Sequence, residues 1–146
     1  MTRPHIEFVQ AQLLPWRRIG QGAARPDAEY KFLSRDLASG ACSAVIRYPP
    51  GWRREGDNRI DAAEEFYVLD GELMIDDARY SHDCYGYFPK RYCHRALSSP
   101  NGAVVLTFFD AEPASYAGPA DAADASMRID ALHMPWDMTL NDPRLA

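Results

Sequence analysis

Cysteine is scarce, long apolar runs are missing and cations are never clustered. The three cysteines, Cys42, Cys84 and Cys93, are odd in number and form no Cys-x-x-Cys pair, which argues against a disulfide framework and against a closed zinc site. Cys42 and Cys84 read as strand residues. No apolar stretch approaches the roughly 20 residues that span a bilayer, and Met1 to His5 leads into no signal-like apolar run, so the expected location is the cytoplasm, with no membrane partner. The chain sets 16 Lys and Arg against 21 Asp and Glu, for a net charge of -5, and has no basic run. Nucleic acid and anionic membranes both select for clustered cations, so neither is expected as a partner. Small molecules and proteins are left.

Helix signals are equally sparse. No long segment keeps apolar residues at i, i+3, i+4 and i+7, whereas short β-branched and aromatic runs bounded by Gly, Pro, Asp and Asn recur. The 146 residues, 47% of them hydrophobic, suffice for one all-β domain with a core. Strands are expected at Tyr30 to Ser34, Cys42 to Tyr48, Glu65 to Leu69, Glu72 to Ile75, Tyr85 to Phe88 and Val104 to Phe109. Asp70-Gly71 and Asp76-Asp77 read as the turns of a tight meander, and His82 as a turn residue. Pro49-Pro50-Gly51 breaks the ladder after Tyr48, so the polar stretch Arg53 to Ala63 reads as a loop. Beyond Asp110 the composition turns to Ala, Pro, Asp and Ser. The domain is therefore drawn at 1–112, with a connector and mostly irregular tail at 113–146. His5-Ile6-Glu7 to Leu14-Pro15-Trp16 is echoed by Arg128-Ile129-Asp130 to Met134-Pro135-Trp136 with a gap of three residues. The echo is either a chance match or the mark of a second unit or of an arm that covers a neighbouring barrel. The last two readings favour a homodimer or half of a two-domain protein.

Gly51, Asp57, Arg59, Glu64 and Gly71 keep the spacing of a Gly, His-x-His, Glu, Gly motif, and Asp83, Pro89, Arg91, His94 and Ser98 keep that of a Gly, Pro-x-Gly, His, Asn motif. Together with Glu64-Glu65-Phe66-Tyr67-Val68-Leu69-Asp70-Gly71 they make the stretch from Tyr30 to Phe109 resemble the cupin superfamily, and within it one half of two-domain cupins of unassigned function. The resemblance implies an RmlC-like double-stranded β-helix, a jelly-roll barrel whose two motifs converge on a pocket. It also implies a metal-dependent dioxygenase or isomerase, with iron, manganese, nickel or zinc as the cofactor.

The departures from that pattern bear on chemistry. Asp57 and Arg59 stand where the two histidines belong, leaving Glu64 and His94 of the usual ligands. Guanidinium has no lone pair, so Arg59 is no ligand. A metal, if bound at all, would have Asp57, Glu64 and His94. Otherwise there is no cofactor and Arg59 replaces the metal electrostatically, pairing with Glu64 and Asp57. Arg59 then offers a planar fork to an anion, or only satisfies Glu64, or points to water. His94 and Glu64 are the candidate acid-base pair, against the plainer reading of His94 as a hydrogen-bonded core histidine. By alternation Glu64, Phe66 and Val68 share the inner face of their strand, with Phe66 and Val68 as apolar lining and Tyr67 and Leu69 outside. Cys93 and His94, adjacent on a strand, should face opposite ways.

The leading expectation is a barrel that binds a small anionic or carbonyl-containing molecule through Arg59, Glu64 and His94. The alternatives are the metal enzyme and a non-catalytic sensor or dimerisation module.

Overall fold

The computed structural model describes residues 3–6, 9–19 and 25–113, and the backbone of 115–117. Among the described residues one 3-10 turn, Ala11–Leu13, precedes ten strands: β1 (Arg17–Arg18), β2 (Glu29–Arg35), β3 (Cys42–Tyr48), β4 (Trp52–Ile60), β5 (Glu64–Ile75), β6 (Ala78–Ser81), β7 (Tyr85–Phe88), β8 (Cys93–Ser99), β9 (Ala103–Phe109) and β10 (Ser115–Ala117). The hydrogen-bonded order is β1-β2-β3-β9-β5-β8-β4-β10, with β6 and β7 also pairing with β5. Every pairing is antiparallel. The all-β jelly-roll barrel implied by the motifs is the fold of the chain. Of the tail drawn at 113–146, Ser115–Ala117 form β10 against β4, and the stretch beyond 117, with the Pro-Trp echo at 134–136, lies outside the described residues.

The barrel turns its corner within one strand. The first part of β5, from Glu64 to Gly71, pairs with β9, while its end, from Glu72 to Ile75, pairs with β6 and β8. A bulge between Val68 and Asp70 and a positive φ of 73° at Gly71 let the strand pass from one sheet to the other. This corrects the expectation that Asp70-Gly71 closes a hairpin. Gly71 lies so close to β9 that an added Cβ would strike the Gly102 carbonyl and sit 2.9 Å from Ala103 Cα. The glycine therefore serves the approach of two backbones. The turn at Asp76-Asp77 does close a hairpin, joining Ile75 to its partner Ala78 with Asp76 at φ 53°.

The polar stretch expected as a loop is also a strand. β4 runs from Trp52 to Ile60 and pairs with β8 from Ser99 to Cys93. Its hydrophilic composition follows from its exposure, since Arg53, Glu55, Gly56 and Asp57 all face solvent. Between Glu55 and Asn58 the register slips by one residue at Gly56, whose φ is 94°. Cys84 precedes β7 rather than lying in a strand, and Cys93 opens β8. No disulfide joins Cys42, Cys84 and Cys93.

Alternation places the core. Along β5, Glu64, Phe66 and Val68 are buried, while Glu65, Tyr67 and Leu69 are exposed. Across the ladder Phe66 meets Thr107 and Val68 meets Val105, which are paired in turn with Ala44 and Ile46. Tyr48, Leu73, Ile75, Leu97 and Phe109 complete an interior that excludes water and supplies most of the drive to fold.

The four glycine positions of the two motifs share one conformation even where glycine is gone. Gly51 and Gly71 have φ of 83° and 73°, and Asp83 and Arg91 have φ of 67° and 68°. A side chain in that region costs about 1–2 kcal/mol. Asp83 recovers part of it by accepting a 2.7 Å hydrogen bond from the Tyr67 hydroxyl.

Candidate functional site

Inside the barrel, charged and polar side chains meet at the start of β5 and β8. Glu64 is 3% exposed, and its Oε1 accepts a 2.5 Å bond from Nη2 of Arg25, which is 1% exposed. Arg25 Nε also donates to the Tyr48 hydroxyl at 3.0 Å. Burial by itself would lower the Arg25 pKa, but Glu64 and Tyr48 together outweigh it and the net shift is upward, so the guanidinium keeps its charge. Burial pushes the Glu64 carboxyl up, with Arg25 pulling back, and it pushes the Tyr48 phenol up to about 12. This is an ion pair deep in the protein, held by a phenol that does not ionise.

Arg25 reaches the interior from a clamped turn. Asp27 N–H donates to the Ile19 carbonyl, Ile19 N–H donates to the Ala28 carbonyl, and Trp52 Nε1 donates to the Pro26 carbonyl at 2.8 Å. Nothing in the local sequence around Arg25 marks it as interior. Its partners lie 23 and 39 residues away.

His94 stands opposite Asn58 across the pairing of β4 and β8. Its ring packs edge-on to Phe88, with centroids 4.7 Å apart, and tilted to Tyr92 at 5.3 Å. Phe88 stacks on Phe66 at 6.0 Å, so an aromatic wall runs from the histidine into the barrel. Burial, reinforced by the positive charges of Arg25 and Arg54, pushes His94 down to about 3. The imidazole is therefore neutral at physiological pH. Its Nδ1 is buried without a hydrogen-bond partner.

Asn58 is 3% exposed, and its Oδ1 accepts a 2.5 Å bond from Arg54 Nη2. That bond fixes the amide orientation, which leaves Nδ2 buried without a partner. Two orphaned polar atoms thus face each other's strands beside two guanidinium groups. Unpaired buried polar groups cost about 1–3 kcal/mol each, and native proteins keep few of them without a use.

The positions singled out in the sequence fall in three places. Glu64 and His94 belong to this cluster, and Phe66 and Val68 are core residues on the same strand face as Glu64. Asp57 is exposed. Arg59 is buried and donates to the Arg91 carbonyl, on the face of β4 opposite to Asn58. The slip at Gly56 shifts the register: in an uninterrupted ladder Asp57 would stand opposite His94, whereas the bulge puts Asn58 there. Gly56 was the available signal. Arg25, Tyr48 and Arg54 had none. His82 is an exposed turn residue 3.2 Å from the Asp83 carboxylate. Cys93 and His94 are both buried.

These residues do not fit a metal ion. Among the described residues no group of three His, Cys, Asp or Glu side chains is placed to hold one. Glu64 is committed to Arg25, and a guanidinium beside the would-be metal repels it.

Solved structures that share the fold include three of particular interest. A candidate dioxygenase of Nostoc punctiforme is 19% identical with a TM-score of 0.68, over 77% of this chain and 40% of its own. The acetylacetone dioxygenase of Acinetobacter johnsonii is 10% identical with a TM-score of 0.57, over 73% of this chain and 72% of its own. A chain of the Rhodobacter sphaeroides complex of SigE with the anti-sigma ChrR is 16% identical with a TM-score of 0.53, over 69% of this chain and 52% of its own. This chain thus spans less than half of the Nostoc protein. No curated protein matches the sequence. The family model of the ChrR cupin-like domain matches residues 5–112, from the head segment through the last residue before the tail, and the chain belongs to that cupin family.

Proposed function

We propose that the barrel binds a small anionic or carbonyl-containing molecule at the end formed by Asn58, His94 and Arg54, with Phe88 and Phe66 receiving its apolar part. One observation carries this reading: Asn58 Nδ2 and His94 Nδ1 are buried, unpartnered and set across one strand pair. The amide offers a donor to an oxygen. The neutral imidazole offers either a donor or an acceptor, depending on its tautomer. The Arg54 guanidinium stands beside the Asn58 amide. A guanidinium there favours a carboxylate or an enolate over a cation. An apolar wall with a few convergent polar groups is the usual form of a small-molecule site.

Binding without turnover is the form of the proposal that the cluster favours. A general acid or base works best with a pKa near the operating pH, and His94 lies far below it. A sensing module fits this better than a dioxygenase or isomerase, and the likeness to a chain of an anti-sigma complex is compatible with it. The test is isothermal calorimetry with acetylacetone, acetate, pyruvate and benzoate as probes. Saturable binding of at least one, weakened about tenfold or more by Asn58→Ala and by His94→Phe, is the expected result, since each lost hydrogen bond to a charged partner is worth about 1.5–3 kcal/mol. A panel that leaves the wild-type barrel without heat, or consumption of a probe by the metal-free protein, overturns the proposal.

A further inference from the structure

We propose that the Arg25 guanidinium stands where a cupin barrel would hold a divalent metal: it neutralises Glu64 from within the chain, and the barrel keeps its charge balance and its shape without a metal ion.

Three features of the interior carry this. The carboxylate that the second half of the first motif retains is already bonded at 2.5 Å, by a group with a permanent charge and no lone pair. The guanidinium does not arrive by chance rotation of a surface side chain. Its turn is tied to Ile19 and Ala28 on one side and to the Trp52 indole on the other, and Tyr48 fixes its Nε from within. The remaining donors are too few, since Asp57 faces solvent and His94 is a single imidazole with two cations nearby. A divalent ion entering this site would have to displace Arg25 from Glu64 and then sit beside both guanidinium groups. The absence of the two motif histidines and the presence of an interior arginine thus fit one another. Positive charge is still delivered to Glu64, but it is covalently tethered.

Removing one partner of a buried ion pair is far more costly than removing both, and the proposal makes that asymmetry measurable. The decisive measurement uses the untagged wild-type protein, incubated with excess Zn2+, Fe2+, Mn2+ or Ni2+, desalted and analysed for metal by mass spectrometry. The expected content is below one tenth of an equivalent for each ion. A second measurement follows urea unfolding of Arg25→Met, Glu64→Leu and the double variant. Each single change lowers the folding equilibrium constant on the order of a hundredfold or more, and the double variant recovers most of that loss. Near-stoichiometric metal in the wild type, lost in Glu64→Gln, would overturn the inference, as would single-variant losses that simply add. If the single variants do not accumulate as folded protein, the wild-type metal content still decides. Failure of the ligand panel leaves this outcome untouched, because metal content and pair coupling are read without any ligand.

Discussion

The neutral, buried His94 ties stability to pH. An unfolded histidine titrates at 6.5, while burial and the cations Arg25 and Arg54 hold the native group at about 3. Between those two values the unfolded chain binds a proton that the native state refuses, so stability falls as the pH drops through that window and is fully retained above about pH 7. At pH 5 the unfolded imidazole is almost wholly protonated and the native one is not. The difference is about 2 kcal/mol relative to pH 7.5. His94→Phe removes the titrating group while keeping a ring against Phe88 and Tyr92. Urea unfolding of both proteins at pH 7.5 and pH 5 isolates the effect, because every other carboxylate and histidine is common to the two. The wild type should lose about 2 kcal/mol more than the variant over this interval. Equal losses would mean that His94 is protonated in the native barrel, and the argument for a neutral, unpartnered imidazole would fail with it.

Other consequences are local. Gly71→Ala should lower stability by at least about 2 kcal/mol, because an alanine at φ 73° is strained and its Cβ would press on the Gly102 carbonyl and Ala103; a loss below 0.5 kcal/mol, on that same scale, would show that β5 relaxes freely at its corner. Arg91→Gly should raise stability by about 0.5–1 kcal/mol, since φ is 68° there and the Asp61 contact that is given up is an exposed one at 3.5 Å. Thermal unfolding would register it as an increase of a few degrees. Gly86→Ala should destabilise by a different route, because Phe66 lies across Gly86 in the ladder and an added Cβ would meet its ring; loss of the Phe66 ring signal in near-ultraviolet dichroism would accompany it.

Several parts of this protein were legible in the residue order because they depend on near neighbours. The period of two along Glu64 to Leu69 puts Glu64, Phe66 and Val68 on one face, the motif position of Glu64 points that face inward, and the structure has them there. The motif spacing marks where the backbone turns left-handed. Gly51, Gly71, Asp83 and Arg91 all adopt the left-handed backbone that the pattern reserves for glycine.

What the residue order left open depends on pairing across long stretches of chain. β4 is hydrophilic because one of its faces meets water, and its ladders to β8, some 40 residues away, and to β10 make it a strand. Asp70-Gly71 has the composition of a turn, yet β9 lies against it and draws the chain straight through. The bulge at Gly56 decides that Asn58 faces His94 and that Asp57 faces solvent. Local sequence therefore determined periodicity and backbone conformation, which follow from sterics within a few residues. The choice of Arg25 as the partner of Glu64 was made by the tertiary structure, because the energy of a buried charge depends on what the fold brings to it.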